Sequence, residues 1–156
     1  MMHRGYTLIE LIIVIGIVGI LFTLGYVNFQ DYSRQQNLLA AVRGIQTDLK
    51  SAQESAIAGN KPGGCNTYLD GYSFTVTSST NYTISANCTG NTVITTKNVN
   101  LPQGITISTP NPNPIFFKAL AQGTNIRSGG SATIVVTHSL TGKTRTITIG
   151  ENGSVQ

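Results

Sequence analysis

Gly5-Tyr6-Thr7-Leu8-Ile9-Glu10, followed by Leu11-Ile12-Ile13-Val14-Ile15-Gly16-Ile17-Val18-Gly19-Ile20-Leu21, decides how this chain of 156 residues is built. A short basic leader containing Arg4 precedes the stretch, and its apolar character persists to about Val27. From Tyr6 to Leu24 the only side chain expected to carry charge is Glu10. At about 1.5 Å per residue such a segment approaches the ~20 residues needed to cross a ~30 Å hydrocarbon layer. A carboxylate inside it costs roughly 2.5–3.5 kcal/mol and calls for a partner. Cutting after Gly5 would create one, the new α-amino group of Tyr6. Two unit charges ~4 Å apart attract by about 4 kcal/mol at an effective dielectric near 20, enough to offset that cost. The amine can belong to the same chain, one helical turn away, or to a neighbouring subunit, where it would fix the stagger between packed helices. A glutamate that merely snorkels to the membrane edge is the plainer reading.

These residues resemble the class III signal of type IV pilins and type II secretion pseudopilins over roughly residues 4–33. The resemblance implies that a prepilin peptidase cuts between Gly5 and Tyr6, that Tyr6 becomes N-methylated, and that Glu10 forms the assembly salt bridge. One position departs from the pattern: many pilins carry proline near the end of the apolar segment, where this chain has Val27. Gly16, Gly19 and Gly25 still weaken the helix there. An ordinary secretory signal fits less well, because Glu10 interrupts its apolar core and no Ala-x-Ala-like site follows. Arg4 ahead of the span places the N-terminus in the cytoplasm and the rest of the chain outside a single-pass inner membrane segment.

The division expected is a leader at 1–5, a transmembrane or filament-core helix at 6–27, an amphipathic continuation at 28–59 and a β-rich extracytoplasmic domain at 60–156. No proline occurs between Tyr6 and Lys61. Leu38, Val42, Ile45, Leu49, Ala52 and Ala56 recur at steps of four and three, which puts them on one helical face. Gln35, Arg43, Asp48 and Lys50 fall largely elsewhere. Gly59-Asn60, then Pro62, ends the helix. Beyond it the period shifts to two at Tyr72–Thr77 and Tyr82–Ala86, with further short strands at Thr92–Thr96, Ile105–Ser108 and Ile115–Lys118. A final hairpin joins Thr133–His138 to Arg145–Ile149 around Thr141-Gly142, while Pro110-Asn111-Pro112-Asn113-Pro114 is a loop. The fold expected is α+β and type IV pilin-like: a long N-terminal helix packed on antiparallel β-sheet. The layout resembles the GspH/FimT-like branch of the superfamily, whose Gly-x-Val tail corresponds here to Gly153-Ser154-Val155-Gln156.

Only 10% of the residues are charged and the formal net charge is +4. The positive charge is scattered, unlike the one-sided footprint of a nucleic-acid binder. Some FimT-like pilins capture DNA through a Gly-Arg-x-Arg tail; here both arginine places are uncharged, which leaves Lys143 and Arg145 as a weak substitute. Cys65 and Cys88 are the only cysteines, and in an oxidising compartment a disulfide is the default. Zinc needs more ligands than two cysteines, and the only histidines are His3 in the leader and the distant His138. Gly142-Lys143-Thr144 lacks the earlier glycine of a phosphate loop, because position 137 is Thr137. No serine sits in a nucleophile elbow, and His138 reads as a surface residue at a strand end.

The sequence therefore points to a non-enzymatic filament subunit with no cofactor and no metal. Its partners would be the prepilin peptidase, an inner-membrane assembly platform and other pilin or pseudopilin subunits. A minor pilin or pseudopilin is the leading reading and a major pilin the second. A DNA-binding pilin and a lone membrane-anchored adhesive module are the alternatives of another class.

Overall fold

The computed structural model describes residues 7–156, with the side chains of 23–28 excepted. A single helix, α1, runs from Leu8 to Ile57, as the absence of proline allows. The chain divides into two compact units, 1–36 and 37–156. In the first, α1 exposes a run of apolar side chains from Leu8 to Phe22, and farther along Arg34 is paired to Asp31 at 3.4 Å.

The end of α1 is set by its last residues. Gly59, at φ 63°, donates its N–H to Ala56 O, and Asn60 donates to Ser55 O. This pair of bonds closes the last turn in a Schellman motif, whose left-handed position favours glycine. The Tyr72 hydroxyl then donates to the Asn60 carbonyl at 2.8 Å, tying the cap to the sheet.

Seven strands follow: β1 (Leu69–Ser78), β2 (Asn81–Cys88), β3 (Thr92–Asn100), β4 (Ile105–Ile107), β5 (Ile115–Lys118), β6 (Ser131–His138) and β7 (Thr144–Gly150). They form two antiparallel sheets, ordered β3-β2-β1-β5 and β4-β6-β7. Alternation at period two puts Phe74, Val76, Tyr82, Ile84, Ile134, Val136, Ile147 and Ile149 inside, together with Leu38, Val42, Ile45, Leu49, Ala52 and Ala56 from α1. These residues form one hydrophobic core shared by the second half of α1 and both sheets. Phe74 and Tyr82, on adjacent strands, stack with ring centroids 4.8 Å apart. The tail is not loose: Gln156 and Thr148 exchange backbone hydrogen bonds, so residues 154–156 add to the edge of β7.

Two readings of the sequence need correction. Asp48 is buried rather than on the polar side of α1, because Tyr82 and Lys97 satisfy its carboxylate from the sheet. His138 ends β6 as expected but is buried, since its position in the alternation faces inward with Ala132, Ile134 and Val136.

Gly71 pairs with Lys118 of β5, and a Cβ there would lie 2.1 Å from the carbonyl oxygen of Phe117. Backbone cannot yield as a side chain can, so Gly71→Ala is expected to destabilise the protein by about 1–3 kcal/mol. A drop in the urea midpoint measures this; an unchanged midpoint would show that β1 and β5 separate freely.

Candidate functional site

The N-terminal motif is organised by Thr7. Its side-chain oxygen accepts the Glu10 backbone N–H at 3.4 Å, and its carbonyl accepts the N–H of Leu11. Thr7 is therefore the N-cap of α1, and Thr7-x-x-Glu10 has the spacing of a capping box. That signal stands in the sequence as Thr7-Leu8-Ile9-Glu10. A carboxylate in the first turn is also favoured by the helix dipole, typically by about 0.3–1 kcal/mol. Among the described residues no basic group pairs with Glu10. Gly5 and Tyr6, the expected cut and methylation positions, lie outside the described residues.

Behind this cap the apolar side chains stand unburied. Leu8 is 77% exposed and Phe22 73%, and Ile9, Ile12, Ile15, Ile17, Ile20 and Leu21 lie between them in the same condition. Soluble monomers rarely show a continuous apolar surface of this kind. Among the described residues no helix is long and apolar enough to cross a membrane; the described side chains of the apolar run stop at Phe22.

In the second unit, Cys65 and Cys88 are joined by a disulfide, linking the segment after α1 to the end of β2. Thr67 and Thr89 reinforce the junction, the Thr67 hydroxyl donating to Thr89 O at 2.7 Å. Lys143 and Arg145 are both exposed, but only Arg145 is on β7; Lys143 lies in the turn before it, so the two do not share a strand face.

A polar network crosses the core's edge. Tyr82 donates to Asp48 Oδ2 at 2.7 Å, and Lys97 Nζ lies 2.6 Å from Asp48 Oδ1. Burial, then the hydrogen bond to and the charge of Asp48, push the Tyr82 phenol far above its usual range. Burial also raises the Tyr72 phenol, opposed by its interaction with Ser55. In the unfolded chain these phenols release their protons near pH 10. Above that pH the unfolded state binds fewer protons than the folded one, so stability falls as pH rises. Each phenol contributes at most about 1.4 kcal/mol per pH unit. Denaturant melts above about pH 10 should show this slope, and Tyr82→Phe should make it shallower; an unchanged slope would remove the phenol from the account. Among the described residues no three His, Cys, Asp or Glu side chains gather as metal ligands.

Residues 1–26 match the prokaryotic N-terminal methylation motif. Two fimbrial proteins of Pseudomonas aeruginosa are each 43% identical over 59 residues, which is 38% of this chain and 38% of each relative. No solved structure matches. The N-terminal segment thus resembles that of these fimbrial proteins, which supports the type IV pilin superfamily, and the long helix on antiparallel sheet is an α+β arrangement consistent with a type IV pilin-like fold.

Proposed function

We propose that the protein is a subunit of a type IV pilus or type II secretion pseudopilus, made as a membrane precursor and assembled through α1. One observation carries the reading: an exposed apolar helix surface running from Leu8 to Phe22, with Glu10 near its start behind a capping threonine. In this scheme residues 1–5 are the leader, 6–27 anchor the precursor in the inner membrane with the N-terminus cytoplasmic, 28–59 continue the helix and 60–156 lie outside. The peptidase cuts between Gly5 and Tyr6, and the Tyr6 amine is methylated. Extraction from the bilayer then buries the apolar sides against other subunits, and Glu10 meets the Tyr6 amine of a neighbour. The GspH/FimT-like layout makes a minor pilin or pseudopilin the leading reading, with a major pilin as the second.

N-terminal mass analysis of the membrane-extracted protein tests the scheme. The expected mature chain begins at methylated Tyr6, and Gly5 replaced by a bulky residue should leave the leader attached. A mature chain that retains residues 1–5 and forms no polymer would refute it.

A further inference from the structure

The outer domain carries a cleft that the assembly scheme does not use. A cavity of about 400 Å³ opens between the proline-rich loop before β5 and the turn before β6, lined by Asn111, Pro112, Ile126, Arg127 and Ser131 among others. This is within the size range of small-molecule sites, roughly 300–1,000 Å³.

Its walls are fixed by two asparagines that each bridge backbone to backbone. Asn113 accepts the N–H of Val76 and donates to Val76 O, both at 3.0 Å. Asn125 accepts the N–H of Phe116 and donates to Pro114 O, both at 2.9 Å. The loops are therefore positioned before any ligand arrives, which lowers the entropy cost of binding.

Asn125 also lines the cleft and is held by these bonds, but three other polar side chains of the lining are uncommitted. The Arg127 guanidinium has no acidic partner among the described residues, and neither the Asn111 amide nor the Ser131 hydroxyl makes a hydrogen bond there. No carboxylate lines the cavity. The nearest acid along the local hydrogen bonds, Glu151, is committed to the Gly129 N–H at 2.5 Å. One fork of donors, one amide, one hydroxyl and an apolar floor of Ile126 and Pro112 make a mixed surface. The fork suits a planar carboxylate. Amide and hydroxyl groups that both donate and accept suit ligand hydroxyls. The proline ring and the isoleucine suit a C–H face.

We infer that this cleft binds an acidic sugar, a hexuronate unit whose carboxylate sits on Arg127 and whose hydroxyls meet Asn111 and Ser131. The full-length protein in detergent would be titrated with galacturonate, galactose and inorganic phosphate, with binding followed by calorimetry or chemical shift. Galacturonate should bind saturably and more tightly than galactose by about tenfold or more, and Arg127→Gln should remove that advantage. The exposed side chain of Arg127 makes the variant's melting temperature a control that should not change. Ser131→Ala, which keeps the arginine, should weaken both sugars alike. Equal binding of galactose, tighter binding of phosphate, full galacturonate affinity in Arg127→Gln, or no saturable binding of galacturonate would each overturn the inference. None of these results bears on processing at Gly5 or assembly through α1.

Discussion

Glu10→Leu is expected to be cut after Gly5 as efficiently as the parent and to enter filaments at a level lower by about tenfold or more. The effect is electrostatic: at an effective dielectric near 20 a paired carboxylate returns about 4 kcal/mol at ~4 Å, while an amine left alone in the helix bundle keeps its desolvation penalty. Counting the variant in sheared filaments against its membrane pool gives the number. The capping geometry supplies a sharper version. Glu10→Gln can still reach back to the N-cap N–H, as capping boxes do with glutamine, but it carries no charge. If Glu10 acts through its charge, the glutamine variant fails like the leucine one. Full incorporation of Glu10→Gln would mean that helix capping, not an ion pair, is what assembly needs.

Removing the disulfide should have the largest effect on the outer domain. Cys65 and Cys88 are 23 residues apart, and closing a loop of that size stabilises by about 3–4 kcal/mol in the chain-entropy model. Replacing both by serine should lower the melting temperature by about 10 °C or more. It also places two hydroxyls where the cysteines were buried. Reduction of the unmodified protein should reproduce most of the shift without the added polar groups. A melting temperature unchanged by both treatments would mean that the hydrogen bonds between residues 67–68 and Thr89 alone hold this junction.

Periodicity along the chain determined the element order, because it records which side of each element meets the core. Steps of three and four from Leu38 to Ala56 gave the buried stripe of α1, and alternation marked out β1, β2, β6 and β7, although His138 at the end of β6 proved buried. The same patterns placed the helix end at Gly59-Asn60, where the closing bonds fall. The N-terminal motif was legible for a different reason: a lone acid in an apolar run has few physical explanations.

Tertiary structure alone decided three things. Asp48 reads as solvent-facing from the helix pattern, yet Tyr82, 34 residues away, makes its burial stable. Strand order escaped the sequence because β5 pairs with β1 across an intervening stretch, a match of backbone edges rather than of neighbouring residues. The loops bordering the cleft at Arg127 are tied by Asn113 and Asn125 to Val76, Pro114 and Phe116. Local pattern fixes what each segment buries, whereas contacts between distant segments fix where a polar group finds its partner, and the second cannot be read along a line.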